Sequence, residues 1–282
     1  MNGTVALPLA DPCLLPMRQV AKPWGCDRLP EPFVASAGER IGEIWFEPSA
    51  DQPDLLVKYI FTSENLSVQV HPDDAQTMAQ GIGRQGKEEC WLVVAAEPGA
   101  KLGIGFAEPM DAATMRAAAL DGSIEQALVW HDVRAGDFFY IPANTVHAIG
   151  AGVSVIEVQQ NSDITYRLYD YGRPRALHLD DAVSVALGEV YDLARWRRHV
   201  PDEGTVELVN GPYFRLHRVT GAPDAGVAAA YGTAPLLVVP MSEGVSFANQ
   251  MLPLGSCINA AGLDQISAVS GAHYLLIQNI SG

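Results

Sequence analysis

The sequence predicts an all-β-dominated protein: a barrel or sandwich of short strands with a few helices, followed by a second, smaller β-domain. Two observations carry this expectation. Short apolar runs broken by Gly, Pro, Asn and Asp recur at residues 55–60, 66–70, 90–94, 137–141, 153–158 and 165–169. Strands this short and this frequent mark a sandwich or a barrel. After Arg198 the stretch 200–204 (Val-Pro-Asp-Glu-Gly) reads as a linker, and strands resume at 205–209, 214–219, 236–239, 266–269 and 274–277. The predicted domains are therefore 1–198 and 199–282.

Three stretches read as helices. Residues 111–120 are Ala-rich, with Asp111 placed to cap the first turn. Residues 124–130 follow the Asp-Gly-Ser break at 121–123, and 179–187 follow Pro174. A faint echo links the halves. Gly136-Asp-Phe-Phe-Tyr-Ile corresponds to Gly255-Ser-Cys-Ile-Asn-Ala, and eleven residues beyond each glycine stand His147 and Ile266.

Composition removes several function classes. Apolar residues make up 48% of 282, which is a globular rather than a disordered balance. Apolar runs such as 236–239 fall far below the roughly 20 residues of a membrane span. The segment Met1–Ala10 lacks the basic start and apolar stretch of a secretory leader. Cys13, Cys26, Cys90 and Cys257 form no CxxC pair and read as reduced thiols of a cytoplasmic protein. With 18 basic against 33 acidic residues the net charge is −15, which repels nucleic acid and anionic membrane. An anionic substrate would need Lys and Arg concentrated locally against that field.

Four segments carry chemistry. In Leu66-Ser67-Val68-Gln69-Val70-His71, alternate side chains share a face, so Ser67, Gln69 and His71 point one way and Leu66, Val68 and Val70 the other. An oxygen donor and an imidazole two residues apart on a strand suit a metal ion; a polar barrel interior with a hydrogen-bonded His fits equally. In Gly136-x5-Pro142-x-Asn144-x2-His147, the strand stops at Pro142 and Asn144 stands where a left-handed turn residue is needed. His147 then opens the next strand, as a ligand or as a structural His. In Gly86-Lys87-Glu88-Glu89, adjacent acids point to opposite faces, so at most one joins an interior site. The polar stretch 157–167 ends an apolar strand with Glu157 and Arg167, and reads either as site or as solvated loop.

Together KPWGCDRL (22–29), LSVQVHPDD (66–74), GKEECW (86–91), GDFFYIPANTVHAIGAG (136–152) and EVQQNSDITYRLYDYGRPRALH (157–178) resemble type I mannose-6-phosphate isomerase in its short bacterial form, and the spacing of 136–147 resembles the second motif of the cupin superfamily. The resemblance implies a cupin-type jelly-roll β-barrel for the catalytic domain. It implies an aldose–ketose isomerase that interconverts mannose 6-phosphate and fructose 6-phosphate through a cis-enediol. It further implies one zinc held by Gln69, His71, Glu89 and His147, although Mn²⁺, Co²⁺ or Fe²⁺ also suit an N/O site. Ser67, Lys58 and Lys87 are the implied contacts to phosphate or sugar, and Arg167 the active-site cation. Glu157 is the leading proton carrier, ahead of a metal-bound water or Lys87. Three features depart from the family: Asn144 replaces a Gly, Glu88 adds a charge beside Lys87 and Glu89, and the C-terminal 85 or so residues carry no family motif.

Two other classes compete. A cupin metal-dependent oxygenase would use several His and one carboxylate, but only His71 and His147 lie in ligand motifs and Gln69–His71 is not His-x-His. A non-catalytic sugar-binding cupin explains the fold but leaves Glu157 and Arg167 without a role. The C-terminal domain is expected to be a metal-free, cupin-like β-domain that packs on apolar surface of the first, because His217 and His273 are isolated and Ile266 stands where a metal His would fall.

Overall fold

The computed structural model describes residues 13–280; Met1–Ala10, read above as lacking a leader, lies outside them. The chain divides into two compact units. One comprises Gln19–Trp45 and Leu55–Pro201, and the other takes residues 13–18, 46–54 and 202–280. The division near residue 200 thus comes with two N-terminal segments on the C-terminal side. The cause is hydrogen bonding to the C-terminal segment: Leu14 bridges Ile258, the Leu15 N–H donates to the Cys257 carbonyl at 2.9 Å, and the Gln52 side chain donates through Nε2 to the Pro235 carbonyl at 2.8 Å.

The larger unit is built from β1 (Met17–Cys26), β2 (Ile41–Phe46), β3 (Leu55–Phe61), β4 (Val68–Val70), α1 (Asp74–Gln80), β5 (Glu89–Ala96), β6 (Lys101–Phe106), α2 (Ala112–Asp121), α3 (Ile124–Ala127), β7 (Leu128–Asp132), β8 (Asp137–Ile141), β9 (His147–Ile149), β10 (Val153–Gln160), β11 (Tyr166–Tyr169), α4 (Leu179–Val185), α5 (Leu193–Trp196) and β12 (Arg197–His199). Seven strands form one sheet in the order β1-β2-β3-β10-β5-β8-β12, and five form another in the order β11-β4-β9-β6-β7. The pairs are antiparallel, as in β3–β10 and β4–β9. Ile60, Trp91, Val93, Phe139 and Val155 of the first sheet pack with Leu102, Ile104 and Ile149 of the second in one buried cluster, so the sheets face each other across an apolar core. Pro23 sits in β1, an edge strand, where its missing N–H breaks no interior ladder.

The strand-face reading of 66–71 holds for its polar side. Val68 and Val70 turn outward beneath α2 and α4, packing with Met115, Ala119, Ala182 and Val185. Leu66 instead joins the core between the sheets, because β4 begins only at Val68 and the alternation does not extend back to it. Asp111 caps α2, accepting from the Thr114 N–H at 2.8 Å. The helix expected over 124–130 stops at Ala127. Leu128-Val-Trp is β-branched and aromatic, and it pairs with β6 as β7, a tertiary partner that overrides the local reading.

Asn144 adopts φ 69°, the left-handed conformation expected of it. Its N–H donates to the His71 carbonyl at 2.8 Å and its Nδ2 to Gln76 Oε1 at 2.6 Å. The turn that delivers His147 is thereby tied to the end of β4. A glycine there would keep the turn and lose the side-chain tether.

The second unit contains β13 (Val206–Asn210), β14 (Phe214–Thr220), α6 (Ala225–Tyr231), β15 (Leu236–Pro240), β16 (Val245–Phe247), β17 (Gln250–Met251), β18 (Ile258–Ala260), β19 (Ile266–Ala268) and β20 (His273–Asn279). A five-stranded sheet, β13-β14-β20-β15-β18, accompanies a three-stranded one, β17-β16-β19. The sequence echo has a structural counterpart. Gly136 and Gly255 both have positive φ (88° and 75°), and β9 and β19 both begin eleven residues later. Where His147 faces the site, Ile266 packs in an apolar cluster with Val238 and Leu276. Among the described residues no helix is long and apolar enough to cross a membrane.

Candidate active site

Strand register assembles the site. On the five-stranded sheet, Gln69 pairs with His147 on β9 and with Arg167 on β11. On the facing sheet, Glu157 of β10 lies opposite Lys58 of β3 on one side and Trp91 of β5 on the other, while Glu89 lies opposite Gln159. Cross-strand neighbours have Cβ atoms about 5 Å apart, which makes ion pairs of opposite charges. The two rows meet where Glu89 reaches His147 and His71.

His71, Glu89 and His147 are fully buried, and their ligand atoms lie within 4.8 Å of one another. His147 Nε2 is 3.4 Å from Glu89 Oε1 and His71 Nε2 is 3.6 Å from Glu89 Oε2. Gln69 Nε2 stands 3.3 Å from His147 Nε2 and 3.5 Å from His71 Nε2. Each imidazole is fixed by its other nitrogen: His71 Nδ1 donates to the Ile164 carbonyl at 2.8 Å, and His147 Nδ1 to the Thr145 carbonyl at 2.9 Å. Both Nε2 atoms are thereby left with their lone pairs directed inward.

This donor set fits a metal ion. Four ligands at about 2.0–2.1 Å in tetrahedral array stand about 3.4 Å from one another, close to the separations found. Glu89 Oε1 is buried with no hydrogen-bond donor, an acceptor with nothing yet to accept. Gln69 would need only a half-turn of its amide, since Ser67 Oγ now donates to Oε1 at 3.1 Å and the nitrogen faces the imidazoles. Burial holds His147 down to about 4, and burial with the nearby Lys87 holds His71 well below its usual range, so both rings are the neutral bases that a metal takes.

Beside this group lies a buried ladder of alternating charge. Lys87 Nζ pairs with Glu89 Oε2 and stands 3.1 Å from His71 Nε2 and 3.8 Å from Glu157 Oε1. Lys58 Nζ lies 2.8 Å from Glu157 Oε1, and Trp91 Nε1 donates to Glu157 Oε2 at 2.7 Å. Burial opposes the charge on Glu157, but Lys58 and Lys87 outweigh it and hold the carboxyl down to about 2. Glu89, penalised by burial and by the charge of Glu157, is pushed up to about 7. Burial likewise opposes the proton on Lys58, yet Glu157 and Glu43 outweigh it and raise its pKa. Glu88 points to the other face, where Tyr140 Oη donates to its carboxylate. It is packed there rather than solvated.

Two comparisons place the chain among known proteins; no family model matches it. Mannose-6-phosphate isomerase of Streptococcus mutans is 34% identical over 233 residues, spanning 80% of this chain and 69% of that protein. This chain belongs to the mannose-6-phosphate isomerase family. The isomerase ManA of Bacillus subtilis is 35% identical over 208 residues, which cover 69% of this chain and 63% of ManA. Among solved structures, the mannose 6-phosphate isomerase of Bacillus subtilis matches with a TM-score of 0.77 at 24% identity over 94% of this chain and 99% of that one. A phosphomannose isomerase variant of Salmonella typhimurium matches with a TM-score of 0.68 at 13% identity, over 95% and 99%. Likeness at these identities shows the fold: the cupin-type, strand-dominated barrel of phosphomannose isomerases.

Family membership leaves some site neighbours unforeseen. Trp91 donates to Glu157 and sets its ring edge-on to His147 at 5.3 Å between centroids. Glu43 and Trp45 of β2 extend the ladder, with Lys22 Nζ 3.2 Å and Trp45 Nε1 2.6 Å from Glu43 Oε2. The acid Asp170 holds Arg173 and Arg175. The Gln69–His71 alternation gave no hint of these, because each lies on a strand or loop brought in by tertiary pairing.

Proposed function

We propose that the chain interconverts mannose 6-phosphate and fructose 6-phosphate, with one divalent metal, zinc by preference, held by Gln69, His71, Glu89 and His147. The observation that carries this reading is a buried two-His, one-Glu group set against the Lys58–Glu157–Lys87 ladder. The names of the relatives support the same reaction. When bound, the metal would supply electrophilic polarisation of the sugar's carbonyl and hydroxyl oxygens. Arg167, a permanent cation paired in register with Gln69, adds positive charge where an enediolate forms. Glu157 is ionised and is the proton acceptor of this reading. Its pairing with Lys58 and Lys87 weakens it as a base, so a productive transfer requires a lysine to turn toward the substrate's oxygens. Lys87, between Glu89 and Glu157, is the group that holds or returns the proton, and Ser67 orients the Gln69 amide. The second unit contributes no metal ligand: among the described residues the single cluster of three or more such groups is His71, Glu89 and His147. The four free cysteines support a reducing compartment, the cytoplasm.

A coupled assay on mannose 6-phosphate, with glucose 6-phosphate for comparison, tests this directly. Turnover of the first should vanish on chelation and return with added divalent metal; a metal-free protein of full activity would refute the metal. Arg167→Ala should lower kcat by about 10²–10³, the loss typical of a removed charge-stabilising donor. Metal content and Tm should hardly move, because Arg167 Nε has no partner to lose. An unchanged kcat would remove Arg167 from the chemistry.

A further inference from the structure

Each imidazole of the metal group takes its orientation from one backbone carbonyl, and the two carbonyls are supported differently. Thr145, which accepts from His147 Nδ1, lies in the turn before β9. Its own N–H donates to the Pro142 carbonyl at 3.2 Å, and its backbone bridges Leu187. Ile164, which accepts from His71 Nδ1, lies in the stretch 161–165 between β10 and β11, which is neither helix nor strand. If that carbonyl turned away, His71 could move its proton to Nε2, and the lone pair directed at the metal would be lost. Whatever aims the Ile164 carbonyl therefore acts on the ligand.

Gln159 reaches this stretch from the end of β10. It is wholly buried, shares a strand face with Glu157 and lies opposite Glu89 of β5. Its Nε2 donates to the Gln160 and Ser162 carbonyls, each at 2.7 Å. The Ser162 N–H donates to the Gln160 carbonyl at 2.7 Å, and Ser162 Oγ accepts from the Ile164 N–H at 3.4 Å. A line of hydrogen bonds thus runs from the Gln159 amide through Ser162 and Ile164 to the His71 ring. The amide cannot be reversed, because two carbonyls need its nitrogen. Its Oε1 is left buried with no hydrogen-bond partner among the described residues. An apolar side chain would fill the same space without stranding an acceptor, so what the amide supplies is the pair of donations.

We propose that Gln159 is a positioning residue: by fixing residues 160–164 it aims the Ile164 carbonyl and holds His71 in the tautomer whose Nε2 faces the metal. This rests on the metal reading above. Gln159→Met keeps the length and burial of the side chain and removes both donors. In chelator competition the variant should hold Zn²⁺ about tenfold less tightly, the low end of the loss typical of removing a ligand's supporting partner. The imidazole itself gives the second readout. In long-range ¹H–¹⁵N spectra of the metal-replete protein, the His71 Nδ1 proton is assigned by its absence in His71→Ala. It should exchange with solvent at least about tenfold faster in Gln159→Met, as local opening grows easier, while the His147 proton on Thr145 stays as in wild type. Ser162→Ala, at a half-buried position, breaks the same line more mildly and should give a smaller change at His71 alone. If Gln159→Met does not fold, Ser162→Ala decides by the same spectra. Unchanged Zn²⁺ affinity with an unchanged His71 proton would overturn the assignment, and so would equal changes at His71 and His147, which mark general loosening. If the wild type takes up no Zn²⁺, the metal reading falls, and the ring protons of the metal-free protein still decide: faster exchange at His71 alone upholds the positioning role, and its absence overturns it.

Discussion

His71→Ala should yield a folded protein that carries almost no metal and has lost at least about 10³ in kcat/KM. His71 is one of three buried side chains whose ligand atoms converge, and its ring is fixed by the Ile164 carbonyl. Removing a ligand costs more than the 10–100-fold typical of losing a ligand's supporting partner. A metal that supplies several kcal/mol of charge stabilisation accounts for a factor of 10³ or more in rate. Elemental analysis and the isomerase assay should fall together, and wild type stripped by a chelator should match the variant. The neighbouring acids give the control. Glu89→Gln should lose metal as His71→Ala does, whereas Glu88→Gln should keep it, because Glu88 lies on the opposite face against Tyr140. Full metal content in both His71→Ala and Glu89→Gln would show the group to be a structural hydrogen-bond cluster.

Where a rule acts within a few residues, the sequence was enough. The alternation of 67–71 put Ser67, Gln69 and His71 on one face, and the three are linked side chain to side chain. Asn144 could be placed in a left-handed turn because Pro142 ends the strand before it, and Asp111 because a helix needs a cap. Where the outcome depends on a strand far away, the sequence was silent or misleading. Leu128–Trp130 reads as the tail of a helix until β6 is available to pair with it. The ion pair of Lys58 and Glu157 joins residues 99 positions apart and follows from register alone. Glu43 and Asp170 look like ordinary surface acids in the sequence; both are buried because cations meet them there. Helix α6 was missed for the opposite reason. Its cap, Asp224, accepting from the Val227 N–H, was legible, but the surrounding run of strands obscured it.

Lys58→Met should destabilise the protein by about 3–5 kcal/mol, the cost typical of removing one partner from a buried ion pair. Lys58 Nζ lies 2.8 Å from Glu157 Oε1 with both side chains buried, and the next cation, Lys87, is 3.8 Å away and shared with Glu89. Methionine has nearly the shape of lysine, so the loss measures the uncompensated carboxylate rather than a cavity. Two further observations separate these. Lys58→Met combined with Glu157→Gln should recover most of the lost stability, because no buried charge is then left unpaired. The pH dependence has a definite sign. In wild type, Glu157 has its pKa held down to about 2, so its contribution to stability is fully present above the unfolded carboxyl's pKa of about 4.5 and is lost as pH falls through about 2. Without Lys58 the carboxyl takes up its proton at higher pH, so the gap between variant and wild type should be widest near neutrality and narrow on acidification. Urea denaturation of the metal-replete proteins at pH 7 and pH 4 reads both effects. A gap that stays constant with pH, and a double variant no more stable than Lys58→Met, would show that Lys58 acts through packing and not through the charge of Glu157.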